Sequence, residues 1–262
     1  MELEVKDVSC GYARETVVSG ISLAVTSGDV LCLLGPNGVG KTTFFKALLG
    51  LLRVQSGKIL LNGEDIGTWP HRKIATKLGY VPQTHSPPFP FKVLDVVMMG
   101  RAAHIGVFSA PSRRDRTIAE EALAALGITQ LGARVYTELS GGERQLVMIA
   151  RALAQQPEIL IMDEPTSNLD FGNQIKVLGQ IKRLTEGGRM GVIMTTHLPN
   201  HALLCATKVA VMGHDRSFAI GTPETVITGT YLKQVYGVDV KVIEAGGKNG
   251  KGARVCVPVL PA

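Results

Sequence analysis

The sequence predicts an α/β fold with a parallel sheet at its core and a helical insertion breaking it. Three observations point there. Short apolar runs alternate with longer amphipathic stretches along most of the chain. From about residue 113 to 155 the apolar spacing becomes helical, and beyond Ile159 strand and helix patterns alternate again as parallel βαβ units do.

In order along the chain, the opening sixty residues read mostly as strands, at 3–8, 21–25, 30–34 and 58–61. Each is short, apolar and bounded by turn residues such as Ser27-Gly28-Asp29 and Asn62-Gly63. One helix interrupts them, beginning at Gly40-Lys41. In the helical stretch, Ile118, Ala122, Leu123 and Leu126 share one face and Gly127 supplies a stop. The basic cluster Ser112-Arg113-Arg114-Asp115-Arg116 at its head reads as a solvated helix start. A strand at 159–162, a helix at 173–184, a strand at 191–195 and a helix at 200–205 follow. Residues 240–243 and 254–257, around a Gly/Lys-rich loop at 246–252, predict an appended C-terminal β-hairpin spanning 241–262.

With 262 residues, 45% of them hydrophobic and 19% charged, the chain can bury a large core and is not of the disordered class. Its longest apolar run, 30–34, stops at Gly35-Pro36, far short of the about 20 residues a bilayer span needs. The first twelve residues carry acidic side chains and no apolar stretch of secretory type, so a cytosolic location is expected. Cys10, Cys32, Cys205 and Cys256 lie far apart in sequence without a C-x-x-C pair, which favours buried thiols over zinc ligands or disulfides. A formal net charge of +6 suits an anionic partner or membrane surface. The basic residues are scattered and lack interleaved aromatic residues, so no nucleic acid is expected as a partner.

Three motifs carry chemistry. Gly35-Pro36-Asn37-Gly38-Val39-Gly40-Lys41-Thr42-Thr43 matches G-x-x-x-x-G-K-[ST] directly after an apolar strand and at a helix start. There backbone N–H groups curl round phosphates, the helix N-terminus adds positive charge, Lys41 reaches the β/γ oxygens and Thr42 offers a hydroxyl to Mg²⁺. The apolar strand at 159–162 ends in Asp163-Glu164, and alternation along a strand sends the two acids to different faces and different work. Asp163 would stand behind the Mg²⁺ and Glu164 would take a proton from an attacking water. Leu139-Ser140-Gly141-Gly142-Glu143 opens a helix as a capping box, and its Gly-Gly pair costs about 1 kcal/mol per Gly relative to Ala while baring N–H groups to a second phosphate contact.

In their order and spacing these motifs resemble the ATP-binding-cassette (ABC) ATPases over nearly the whole chain. The resemblance implies a P-loop NTPase core with an antiparallel β subdomain, about 1–83 and 157–240, and a helical subdomain, about 84–156. It also implies roles for further residues. Tyr12 would stack on adenine, Gln83 after the strand at 78–81 would contact Mg²⁺ and water, and Ser167-Asn168-Leu169-Asp170 would form the D-loop. His197 would contact the γ-phosphate and hold the attacking water. Together with Lys41, Glu164, His197 and Gln83 are the implied catalytic set, and Thr42, Gln83 and Asp163 the implied metal set. ATP would lie between the phosphate loop, Gly35 to Thr43, and Ser140, Gly141, Gly142 and Asp170 of a second copy.

The segments Met99-Gly100-Arg101, His104, Pro111-Ser112, 138–155, 163–174 and His197-Leu198-Pro199-Asn200-His201 are similar to the subgroup that powers bacterial importers of iron-siderophore, haem or cobalamin. That likeness implies a homodimer on the cytoplasmic face of the inner membrane, bound to two permease subunits and served by a substrate-binding protein. It also implies docking of the permease on about 84–107, where Pro87-Pro88-Phe89-Pro90-Phe91 and Val97-Met98-Met99 offer apolar surface. Glu143 stands where many family members have Gln. A soluble ABC ATPase acting on nucleic acid or ribosomes stays open beside the importer, although a single copy of each motif and the absence of a heptad run weigh against it. A P-loop small-molecule kinase would need neither the LSGG motif nor a D-loop.

Overall fold

The computed structural model describes residues 1–13, 15–83, 89–106, 109–246 and 252–259. Strands β1 (Glu2–Tyr12), β2 (Glu15–Thr26), β4 (Val54–Leu61) and β5 (Glu64–Asp65) form an antiparallel sheet of order β2-β1-β4-β5. The turn from β4 to β5 is Asn62-Gly63 with φ 52° and 82°, the two positive values a tight two-residue hairpin asks for. Strand β3 (Val30–Leu34) leaves this sheet and leads into helix α1 (Lys41–Leu48).

A six-stranded sheet holds the centre, built from β3, β6 (Leu78–Val81), β7 (Ile159–Met162), β8 (Gly191–Thr196), β9 (Lys208–Met212) and β10 (Phe218–Gly221), in the order β10-β9-β3-β8-β7-β6. All pairs are parallel except β9–β10. Period-two alternation splits its side chains between two cores. Leu31, Leu33, Ile159, Ile161 and Ile193 face α1 and the antiparallel sheet. Cys32, Leu34, Leu160, Met162, Val192 and Met194 face a second core shared with the helices. Strands buried on both faces explain the unbroken apolar runs read from the sequence.

Helix α2 (His71–Lys77) precedes β6, and between β6 and β7 the chain forms α3 (Val93–Met98), a 3₁₀ turn at Met99–Ala103, α4 (Arg113–Ala125) and α5 (Gly141–Ala154). Helix α4 starts on a capping box between Ser112 and Asp115 and stops at Gly127, φ 69°, where Ile128 N–H closes back to Leu123 C=O at 3.0 Å. The 112–116 cluster is therefore a helix start as expected. It is only partly solvated: Asp115 also pairs with the buried Arg101 at 3.0 Å, and the Ser112 hydroxyl and backbone together with Arg101 hold its carboxyl well below the usual range. Arg101 donates further to Ala154 C=O at 2.8 Å and Gln156 Oε1 at 3.2 Å, clamping the 3₁₀ turn to the end of α5.

After β7 come α6 (Phe171–Thr185), β8, α7 (Pro199–Cys205), β9, β10, α8 (Pro223–Val226) and α9 (Gly229–Tyr236). The C-terminal hairpin is present as β11 (Val240–Ala245) paired with β12 (Ala253–Pro258). Most of the Gly/Lys-rich loop, 247–251, lies outside the described residues, as do 84–88 and 107 of the segment expected to dock a permease. Within the remainder of that segment, Phe89, Phe91 and Met99 are exposed. Val97 is fully buried against α4 and α5 and offers no docking surface, because α3 turns that side of itself into the helical core. The four cysteines are buried free thiols. No helix among the described residues is long and apolar enough to cross a membrane.

Candidate active site

The loop between β3 and α1 wraps the N-terminus of α1. Gly40 has φ 101°, and a Cβ there would sit 2.6 Å from Val18 Cγ2, so the loop closes only around glycine. Lys41, the first residue of α1, is buried, and its ammonium donates to Gly35 C=O at 2.6 Å and Pro36 C=O at 2.9 Å. Burial lowers its pKa, while the carboxylates of Glu164 and Asp163 oppose that shift. Val39 turns inward to the core shared with the antiparallel sheet.

The Thr42 hydroxyl donates to Asp163 Oδ2 at 2.9 Å. Asp163 is buried, and its other oxygen accepts from the Thr195 hydroxyl at 2.7 Å. Thr195 Oγ1 in turn accepts the Glu164 N–H at 2.8 Å. Thr195 was not singled out from the sequence. The usable signal was the pair of threonines that ends the apolar run of β8, since a buried hydroxyl needs partners.

Asp163 and Glu164 do diverge, but strand alternation is not the cause. Strand β7 ends at Met162, and Glu164 adopts φ 45°, which turns its side chain out of the sheet's line. There Glu164 Oε2 accepts from Gln83 Nε2 at 3.0 Å, and Oε1 lies 3.4 Å from His197 Nδ1. Asn37, Gly38, Gly40, Lys41, Thr42, Thr43, Gln83, Asp163 and Glu164 line one cleft of about 380 Å³, with Val17 as an apolar wall.

The remaining residues lie elsewhere. Tyr12 ends β1 half exposed, and its hydroxyl accepts from Lys46 Nζ at 3.0 Å, a contact that lowers the phenol's pKa. Ser140 caps α5, with its backbone N–H on Glu143 Oε2 at 2.8 Å. Ser140 and Gly141 are exposed and Gly142 is buried. A Cβ on Gly142 would meet Asn173 Cγ at 2.6 Å, so packing inside the chain already calls for glycine here. Asp170 caps α6 by accepting Asn173 N–H at 2.8 Å and Asn173 Nδ2 at 2.7 Å. None of Ser140, Gly141, Gly142 and Asp170 lines the cleft around Lys41.

A buried lysine in a glycine-rich loop at a helix start, on a parallel sheet flanked by an antiparallel one, defines a phosphate-loop nucleotide-binding protein. A sequence model of the family described as ABC transporter matches residues 18–167, more than half of the chain. The chain belongs to that family and is an ABC transporter ATPase, an ATP-binding subunit. It is 42% identical over 236 residues to an uncharacterized ABC transporter ATP-binding protein of Haemophilus influenzae, covering 90% of this chain and 89% of that one. It is 36% identical to the molybdate import ATP-binding protein MolC of Haemophilus influenzae (89% and 87% covered) and 35% identical to the hemin import ATP-binding protein HmuV of Myxococcus xanthus (95% of each). Among solved structures, an ABC transporter assigned to the metal-chelate type, in an inward-facing conformation, superposes with a TM-score of 0.88 at 34% identity over 98% of this chain and 97% of that one.

Proposed function

We propose that this chain hydrolyses MgATP to drive an importer of a metal chelate, haem or a related metal-containing anion. The observation that carries hydrolysis is the placement of Glu164, between Gln83 and His197 at the rim of the cleft that holds Lys41, Thr42 and Asp163. Lys41 leaves the loop carbonyls for the β/γ oxygens of ATP, the exposed N–H groups of the loop take the remaining phosphate charge, and Tyr12 stacks on adenine. Glu164 accepts the proton of the attacking water, which His197 and Gln83 hold in line with the γ-phosphate. Thr42, Gln83 and Asp163 are oxygen donors of the kind a hard divalent cation takes, so they fit Mg²⁺, with Asp163 behind the Thr42 hydroxyl. Bound there, Mg²⁺ neutralises charge on the phosphates.

Ser140, Gly141, Gly142 and Asp170 stand apart from the cleft, which supports a head-to-tail homodimer in which they close the ATP site of the other copy. In this reading the helical subdomain, about 84–156, carries that second phosphate contact, and Phe89, Phe91 and Met99 meet one of two permease subunits on the cytoplasmic face of the membrane. The import direction and the cargo class are supported by the relatives named for hemin and molybdate import.

Glu164→Gln tests the hydrolytic assignment: steady turnover falls by at least about 100-fold while ATP still binds in a filter assay. An unchanged rate contradicts it. For transport, the tagged protein purified from its native membranes is expected to bring down a multi-span permease near equal stoichiometry. Recovery with ribosomes or nucleic acid instead would favour a soluble ABC ATPase.

A further inference from the structure

The C-terminal hairpin is bound to the helix that follows His197, and that helix is itself tied to the segment that carries Glu164. Helix α7 begins two residues after His197, has only seven residues and lacks a side-chain N-cap, so its first turn has little stability of its own. Asn200, in that turn, instead ties the helix start to β12. Its Oδ1 accepts Cys256 N–H at 2.7 Å and its Nδ2 donates to Cys256 C=O at 3.2 Å. The carboxamide thus occupies the edge of β12 that β11 leaves open. Cys256 is itself buried in the helical core, and Arg254 of the same strand donates to Ile227 C=O at 3.3 Å, which anchors the hairpin.

A second tie runs from the same turn to the other catalytic segment. His201 is buried with Nδ1 3.1 Å from Thr166 Oγ1, and Thr166 stands two residues after Glu164. A third contact reaches the phosphate loop from the helix that leads into the hairpin. The hydroxyl of Tyr236, last residue of α9, is buried against the Gly35 backbone and makes no hydrogen bond of ordinary geometry among the described residues.

We propose that the C-terminal hairpin is a positioning element for hydrolysis: by pairing with Asn200 it fixes the first turn of α7 and so holds His197 opposite Glu164. This rests on the reading of His197 as the residue that holds the attacking water. Asn200 is a positioning residue, acting through the two-residue span Leu198-Pro199 that joins it to His197. Misplacing a catalytic group by about 1 Å can cost up to about 100-fold in rate, so loosening this turn shows in turnover before it shows in nucleotide affinity.

The test uses the full chain with Asn200→Ala and Asn200→Asp. Asn200 is exposed, and neither change removes core packing. Alanine is expected to lower kcat by about tenfold with KM for ATP within about twofold, because the Lys41 cradle is untouched. Aspartate, which keeps the acceptor for Cys256 N–H and loses the donor to its C=O, falls between. Amide exchange across 199–205 speeds up in the alanine variant. In a His197→Ala background, followed by single-turnover hydrolysis, Asn200→Ala adds no further loss. The proposal is overturned by an unchanged kcat in Asn200→Ala, by KM rising in step with the loss, or by an equal further loss in the His197→Ala background. A His197→Ala protein with undiminished hydrolysis would instead overturn the reading of His197, and the two failures are distinguishable.

Discussion

Glu164 holds a left-handed backbone, which costs a residue with a side chain about 1–2 kcal/mol. The Thr195 hydroxyl on its N–H, Ser167 N–H on its carbonyl at 3.0 Å, and Gln83 on its carboxylate keep it there. That network explains what was legible and what was not. The acid pair, the lysine and the glycine-rich loop stood out because their residue types and spacing are tied to chemistry. Thr195 and Thr166 did not, since they serve through contacts made by neighbouring strands and by α7 that no local spacing encodes. His201 was legible only as the end of the 197–201 segment, with no role attached to it. Burial first, then the nearby His197, push its pKa below the ordinary value, so the folded chain holds this proton less readily than the unfolded one. The unfolded chain therefore takes up the proton first as the pH falls. Stability is full above about 6.5 and declines as the pH drops from there toward the folded-state value. The melting temperature is expected to fall as the pH drops below about 6.5, and His201→Asn, which cannot protonate, to flatten that slope. Identical slopes for the two proteins would contradict the assignment.

Among elements, those with a chemical start or stop were the most readable. Ser112 and Ser140 with an acid three residues on, and Gly127 after an apolar stripe, are local signals, and helices α4 and α5 begin or end on them. Helix α2 was missed because it has seven residues and buries only Ile74, too little for a periodic stripe. Strands β9 and β10 escaped for a different reason. The first is a short buried run that periodicity cannot separate from helix, and the second is a half-exposed edge. The seam between α5 and α6 is where tight packing meets the site. Asn173 lies against Gly142 while its amide is held by Asp170. Gly142→Ala is expected to push the two helix starts apart, lowering unfolding free energy by about 1–3 kcal/mol in a denaturant titration. A variant as stable as the parent would show that Asn173 moves aside at no cost.

At the scale of the whole molecule, two helix starts suited to phosphate stand on separate ground, and the proposed homodimer accounts for both. The α1 end carries the cleft with Lys41, Asp163 and Glu164, and the α5 end presents Ser140 and Gly141 to solvent on separate ground. In the proposed head-to-tail dimer, two copies would complete each cleft with the other's α5, so that ATP would join the copies and hydrolysis would part them. Conformational work, passed in this proposal to a permease through the helical segment, would then be the product of the cycle. The hairpin, read in sequence as an appended extension, packs on α7 and α9. The division of labour between copies is tested most directly by light scattering on Glu164→Gln with ATP and Mg²⁺. Twice the 27.9 kDa mass of one chain with ATP, and a return to one chain with ADP, is the expected result. A protein that stays at the mass of one chain with ATP bound would contradict the shared site.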